Sequence, residues 1–458
     1  MRNLENILNS AKNIHFIGIG GSGMCPMAEI LMDKGYDITG SDNYISDTLQ
    51  RLIDKGMKVY TEHAAANVNK AELVVYSAAI KEDNVERAEA AKRRIPCIER
   101  SVMLGLLCAK YKNTVAVSGT HGKTTTTAMI TQILTMAKKD PSAIIGGKLP
   151  AINGNSRTGK SDTIVCEACE YVDSFLKITP SIAVITNVEA DHLDYFGNLE
   201  NVINSFNKFA KKATELIVIN GEDENSVLAT KNVAAPVVTF GESKDNTYYA
   251  ENISEENVAF PRFDLMKSGE KLAAIKLSVP GKYNVYNALA AATVADCLGV
   301  APEDIAKALG EFTGVHRRFE VLGQPDGITV ADDFAHHPTE ITSVLTAAKK
   351  MGFKRVIAVF QPHTYSRTAA FLDEFAKSLS IADITVLSEI LAVREINAYN
   401  IKSEDLAVKL ENCICLRTFE EITDCIEKIA KPGDLVLTMG GGNVYVCANM
   451  ILKRLTEK

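Results

Sequence analysis

The chain has 458 residues, 46% of them hydrophobic and 23% charged, which suits a globular protein of two to four domains at about 100–200 residues each. A net charge of −7 lacks the basic field that nonspecific nucleic-acid binding needs, so no nucleic-acid partner is expected. No apolar run approaches the roughly 18 residues of a membrane span, and Met1-Arg2-Asn3-Leu4-Glu5-Asn6 lacks the apolar core of a signal peptide, so a cytoplasmic protein with no membrane contact is expected.

The N-terminal residues read as leading straight into a short apolar strand, Ile14-His15-Phe16-Ile17. Gly18-Ile19-Gly20-Gly21-Ser22-Gly23 follows, then a helix expected over 24–34 and ended by Gly35. A G-x-G-x-x-G between strand and helix aims the backbone N–H groups of Gly20, Gly21, Ser22 and Gly23 at a diphosphate. Asp42 stands at the end of the next strand (36–39), where a ribose-binding acid would sit. Spacing alone leaves open whether the diphosphate belongs to NAD or to another nucleotide conjugate, and a tight turn without ligand is the plainer alternative. Strands at 73–76, followed by Ser77, and at 95–98 continue an alternation that predicts a parallel sheet covered on both faces.

A second unit opens with Val115-Ala116-Val117-Ser118, the turn Gly119-Thr120-His121-Gly122-Lys123-Thr124 and a helical run over 125–136. This is an abbreviated phosphate-cradling loop with only two residues between its glycines. Backbone N–H groups face the anion, Lys123 reaches the outer phosphates and the Thr124 hydroxyl holds Mg²⁺. Strands are predicted at 164–167, 182–186 and 216–219. Glu167 closes the first of these and His192 follows the second. The carboxyl ends of parallel strands line the ligand crevice, so both face Thr124 and make a candidate Mg²⁺ set, with imidazole the less expected ligand for a hard cation. The stretch 234–277 reads as a small, partly antiparallel section, and 286–298 as an Ala-rich helix stopped by Gly299.

A third unit is expected from Arg317, with strands at 328–331, 355–360, 384–387 and 435–439 and helices at 339–350 and 369–379. Its polar groups gather beside strand ends: His316-Arg317-Arg318, Asp332-Asp333-Phe334-Ala335-His336-His337 and Gln361-Pro362-His363 through Arg367. Four of the eight histidines fall in these clusters, which scattered surface histidines would not do. The ten cysteines show no framework spacing and read as reduced thiols. Cys166 and Cys169 form a C-x-x-C, but Cys413-Ile414-Cys415 has the wrong spacing to complete a zinc site.

Taken together, 15–24, 119–126, Glu167-Ala168-Cys169-Glu170 with Ser174-Phe175-Leu176, Thr186-Asn187 with Asp191-His192-Leu193-Asp194, Gly314 with Arg317-Arg318-Phe319-Glu320, 332–340 and Gln361-Pro362-His363 resemble the Mur ligase family over essentially the whole chain. The resemblance implies an α/β protein of three domains. These are a Rossmann-like N-terminal domain for a UDP-sugar (1–109), a central P-loop ATPase domain with a mostly parallel sheet (110–316), and a Rossmann-like C-terminal domain completing the ATP and amino-acid sites (317–458). It implies ATP and Mg²⁺ as cofactors, and UDP-N-acetylmuramate and L-alanine as substrates joined through an acyl phosphate. The first glycine loop then holds a UDP diphosphate, with Asp42, Ser77 and His121 also on the sugar nucleotide. ATP falls to Gly119, Thr120, His121, Gly122, Lys123, Thr124, Thr125, Asn284, Arg318 and Asp333, and metal to Thr124, Glu167 and His192. Lys123, His192, His336 and Arg367 take the catalytic roles, the last two near the amino acid. The sequence departs from the family's usual pattern at Phe334, where Tyr is frequent, at Tyr283, where His is usual before Asn284, and at Gly440-Gly441-Gly442-Asn443, which lacks the more common Ala and Asp. A tripeptide-recycling ligase, an NAD-dependent oxidoreductase and a non-catalytic nucleotide-binding module are the competing readings. The expected assembly is a monomer or homodimer.

Overall fold

A computed structural model describes residues 2–254, 260–393 and 395–457. Its contacts divide the chain into two compact units. The first comprises Met1–Tyr249, Lys267–Glu270 and Asn287–Ala308; the second comprises Ala250–Met266, Lys271–Tyr286 and Leu309–Lys458.

The first unit begins with a helix, Arg2–Ser10, where the sequence was expected to lead straight into a strand. Its Leu4, Ile7 and Leu8 lie at helical spacing and pack on the core, and tertiary contact supports a segment too short to hold a helix alone. Five parallel strands follow: β1 (Asn13–Ile17), β2 (Asp37–Ser41), β3 (Lys58–Tyr60), β4 (Leu73–Tyr76) and β5 (Cys97–Glu99), in the order β3-β2-β1-β4-β5. The order reverses beside β1, so a crevice opens outside the carboxyl ends of β1 and β4, where Gly18 and Ser77 follow.

The central sheet is built on β6 (Asn113–Ser118), β7 (Ser142–Leu149), β8 (Gly154–Arg157), β9 (Thr163–Glu167), β10 (Ile182–Ile185), β11 (Leu216–Asn220) and β12 (Val237–Gly241). They run β12-β11-β10-β6-β9-β7-β8, parallel except for β8 against β7. Val115, Val117, Val165, Cys166, Val184 and Ile185 are fully buried, as expected of strands covered on both faces. The section expected to be mixed holds β12, β13 (Tyr248–Ser254), β14 (Arg262–Lys267) and β15 (Glu270–Lys276); residues 255–259 lie outside the described residues.

In the second unit, β16 (Glu320–Gly323), β17 (Thr329–Asp333), β18 (Arg355–Phe360), β19 (Ile384–Leu387), β20 (Cys413–Cys415) and β21 (Asp434–Met439) run β16-β17-β21-β18-β19-β20. All neighbours are parallel except β16 against β17. The helix expected over 369–379 is two, Tyr365–Ala370 and Leu372–Leu379, because Phe371 leaves helical geometry at φ −121°. Three α/β sheets therefore match the expected fold class. No helix among the described residues is long and apolar enough to cross a membrane.

One buried polar network in the first sheet has a measurable consequence. Glu86 is fully buried and accepts from Ser41 Oγ (2.6 Å), His63 Nδ1 (3.0 Å) and Asn67 Nδ2 (2.6 Å), with His15 Nε2 at 3.6 Å. Burial works to raise its pKa, but these partners outweigh burial and bring it down to about 2. The folded pKa is depressed, so the stabilisation is complete above the ordinary value of 4.5 and is lost as pH falls toward about 2. Glu86→Gln should be less stable than the parent at pH 7 and lose less stability across that acid window. Urea denaturation over a pH series measures this, and parallel pH profiles for the two proteins would contradict it.

Candidate functional site

The phosphate loop leaves buried β6 through Gly119 at φ 139° and enters the helix Lys123–Met136 through Gly122 at φ 82°. Any side chain at Gly119 would strike Thr186 Oγ1, and one at Gly122 would strike Asn287 Oδ1. Backbone conformation and close approach therefore both demand glycine. The loop is tied to the residues after β10. His121 N–H donates to Asn187 Oδ1 (2.8 Å), Thr186 Oγ1 donates to His121 O (2.5 Å), and Glu189 N–H donates to Thr120 Oγ1 (2.8 Å). The threonine-rich start of the helix is buried because its hydroxyls are internally satisfied: Thr127 bonds back to Lys123 O (2.8 Å) and Thr126 reaches Asn287 (3.3 Å). Asn287 carried no recognisable signal in the sequence.

Lys123 Nζ donates to Gly119 O (2.5 Å), Thr120 O (3.0 Å) and Glu170 Oε1 (3.0 Å). Burial opposes its charge, but the Glu170 carboxylate outweighs that, with Glu167 contributing, and the ammonium is held above the usual lysine range. His192 caps the helix Leu193–Phe196 at φ 53°, and its Nε2 lies 3.8 Å from both Glu170 Oε1 and Asp191 Oδ2. The Tyr171 ring lies 4.6 Å from the imidazole between centroids.

Strand order explains the gathering. β6 lies between β9 and β10, so the turns leaving both neighbours flank the loop. Lys123, Glu170 and His192 come together this way. Glu167, the carboxylate expected there, ends β9 and accepts from Gly146 N–H, and Glu170 sits between Lys123 and His192. Glu170 is 2% exposed, and its Oε2 is buried with no hydrogen-bond partner among the described residues. Sequence reasoning passed over it because strand periodicity ends at Glu167. The available signal was the second acid of Glu167-Ala168-Cys169-Glu170. An orphaned carboxylate oxygen, an adjacent imidazole and the Thr124 hydroxyl at the helix start are a donor set that Mg²⁺ fits.

The glycine loop after β1 is hooked by Asp42, whose Oδ2 accepts from Gly20 N–H (2.8 Å) and Oδ1 from Tyr44 N–H (3.0 Å). Ser77 follows β4, with its N–H on Ile17 O (3.1 Å).

In the second unit, Asp333 ends β17 and accepts from the N–H groups of Phe319 and Ala335, both at 2.7 Å. Burial pushes it up to about 6 against the pull of Arg318. Glu340 lies 4.0 Å from Arg318 Nη1 and 3.3 Å from His336 Nδ1. His336 Nδ1 donates to Phe334 O (2.9 Å), which leaves Nε2 as the acceptor, and burial takes the imidazole down to about 3, so it is neutral. Arg367 Nη1 lies 3.3 Å from His363 Nδ1, and the His336 and His363 rings are 5.6 Å apart. Asn284 is buried, with Nδ2 on Pro280 O (2.7 Å). Phe334 lies beneath the Arg317 and Arg318 guanidiniums at 4.9 and 5.2 Å, a stacking role that needs no hydroxyl.

Three family models match along the chain: the Mur ligase family catalytic domain over 13–112, the Mur ligase middle domain over 117–295, and the Mur ligase glutamate ligase domain over 317–442. UDP-N-acetylmuramate–L-alanine ligase of Acetivibrio thermocellus is 45% identical over 97% of this chain and 96% of its own length. The Clostridium tetani protein of the same name is 44% identical over 98% and 99%. Among solved structures, the UDP-N-acetylmuramate-alanine ligase of Thermotoga maritima superposes with a TM-score of 0.83 at 31% identity, covering 97% of this chain and 99% of that one. A murein peptide ligase from Psychrobacter arcticus follows at 0.76 and 26% identity, covering 98% and 99%. The first glycine loop lies inside the first family match, so the oxidoreductase reading falls, and the chain belongs to the Mur ligase family.

Proposed function

We propose that this Mur ligase is an ATP-dependent enzyme that joins L-alanine to the lactyl carboxylate of UDP-N-acetylmuramate in peptidoglycan precursor synthesis. The observation that carries the reading is the Lys123–Glu170–His192 cluster on the phosphate loop, in a chain aligned over 97–98% of its length with relatives bearing that activity in their names. A carboxylate is a poor electrophile. Transfer of the terminal phosphoryl group of ATP to it gives an acyl phosphate and ADP. The amine of L-alanine then attacks the carbonyl carbon, the C–O bond to phosphate breaks, and inorganic phosphate leaves.

Two anions must meet in the first step, and the Lys123 ammonium offsets their repulsion. Thr124, Glu170 and His192, with Glu167 close behind in the chain, are the groups that would hold Mg²⁺, which when bound supplies further charge compensation on the phosphates. In the second unit, Asn284, Arg318 and Asp333 serve the nucleotide, Arg367 the amino-acid carboxylate, and neutral His336 offers Nε2 to the attacking amine's proton. We assign the sugar nucleotide to 1–109, ATP to 110–316 and completion of the ATP and amino-acid sites to 317–458. A cytoplasmic location accords with substrates drawn from the ATP and sugar-nucleotide pools.

ADP release should require UDP-N-acetylmuramate, L-alanine and Mg²⁺ together; release that persists without the sugar nucleotide would rule the reading out. With preformed tripeptide as acceptor the rate should be far lower, and a preference for the tripeptide would make this a recycling ligase. Lys123→Ala should lower kcat by roughly 10²–10³-fold and should also lower the urea midpoint, because Glu170 loses its partner. Glu170→Gln should cost about a hundredfold in kcat, and Glu167→Gln less than about tenfold. The reverse order would return the carboxylate's role to Glu167.

A further inference from the structure

Arg100 is the first residue of the helix Arg100–Cys108, immediately after the carboxyl end of β5. It is partly buried, and its guanidinium has no hydrogen-bond or ion-pair partner among the described residues. A guanidinium carries five donors in a fixed fork, and those that no protein group takes are open to an anionic ligand. The side chain lies on the glycine loop: a Cβ built on Gly23 would stand 2.9 Å from Nη1 and 3.2 Å from Cδ. The third glycine of the loop is therefore the residue that lets Arg100 approach.

The same loop has other unused polar groups. Gly20 N–H is taken by Asp42, and Gly21 N–H by Gly18 O (3.3 Å), while the N–H groups of Ser22 and Gly23 have no acceptor among the described residues. From β8, Asn155 donates Nδ2 to Ser22 O (3.2 Å). Asn155 is 8% exposed, and its Oδ1 is buried without a partner. Two backbone donors, one guanidinium and one orphaned amide oxygen thus converge on Ser22–Gly23. The field of Arg100 also reaches Cys169, next to Glu170.

We infer that Arg100 is a substrate-binding residue that grips the diphosphate of the sugar nucleotide together with the Ser22 and Gly23 N–H groups, while Asn155 Oδ1 accepts from a hydroxyl or amide N–H of the same ligand. This rests on the proposed sugar-nucleotide reading of the first glycine loop and adds residues outside it. A guanidinium matches a phosphate oxygen pair by a fork of parallel hydrogen bonds, which a lone ammonium cannot reproduce.

Calorimetric titration of the full chain with UMP, UDP and UDP-N-acetylmuramate tests the assignment. Arg100→Ala should weaken UDP and UDP-N-acetylmuramate by roughly ten- to a hundredfold and UMP by much less. Arg100→Lys should recover only part of the loss, and KM for ATP should stay near the parent value in both. Asn155→Asp should weaken UDP-N-acetylmuramate more than UDP. Equal loss for UMP and UDP, or parental UDP affinity in Arg100→Ala, overturns the inference while leaving the ligase reading in place. A parent protein that binds neither UDP nor UDP-N-acetylmuramate defeats the ligase reading itself.

Discussion

The ion pair between Lys123 and Glu170 is the constraint on which the phosphate site depends. A cation enclosed by the loop carbonyls of Gly119 and Thr120 is tolerable only with a carboxylate against it. Glu170, 2% exposed, is tolerable for the same reason, and its second oxygen is still unspent. The pair joins the helix that follows the phosphate loop to the turn leaving β9, and His192 closes the cluster from the turn leaving β10. Three consecutive neighbours in one parallel sheet thereby become one charged centre.

Polar contacts of a different kind join the first sheet to the central one within the first unit. Glu29 is 4% exposed in the helix Cys25–Asp33, where it takes Arg51 in a bidentate pair at 3.0 and 2.9 Å and also receives Lys55 and the Ser156 hydroxyl of β8. Asn155, one residue earlier, reaches the carbonyl of Ser22. The β7–β8 hairpin thus meets the helix that carries the first glycine loop through fully engaged charges. A bidentate guanidinium–carboxylate pair fixes orientation as well as distance. The contact is specific where an apolar patch would let the elements slide.

Much of this was legible in the chain. Both glycine loops declared themselves because their chemistry is local: a strand, a turn that admits only small residues, and a helix start. The buried strands read cleanly as short apolar runs. His336, Arg318 and Asp333 were legible as polar clusters beside strand ends; in the structure His336 and Arg318 stand beside Glu340, and Asp333 accepts from neighbouring backbone. The opening helix was missed because its apolar stripe is too short to stand out from loop, and the break at Phe371 because nothing in its sequence neighbourhood is a helix breaker.

By itself, the sequence determined the alternation of strands and helices, the two glycine turns between strand and helix, and the family, because each depends on residue type at short, fixed spacing. Only the tertiary structure decided which groups meet. Glu170 pairs with Lys123 because the chain turns after β9, and Glu167, at the end of that strand, accepts from Gly146 N–H. Asn287, about 160 residues from the loop it braces, and Arg100, lying against Gly23, take their places from strand order and packing. Neither carries a local mark, because a polar side chain acquires its role from the partner that the fold brings to it or leaves out.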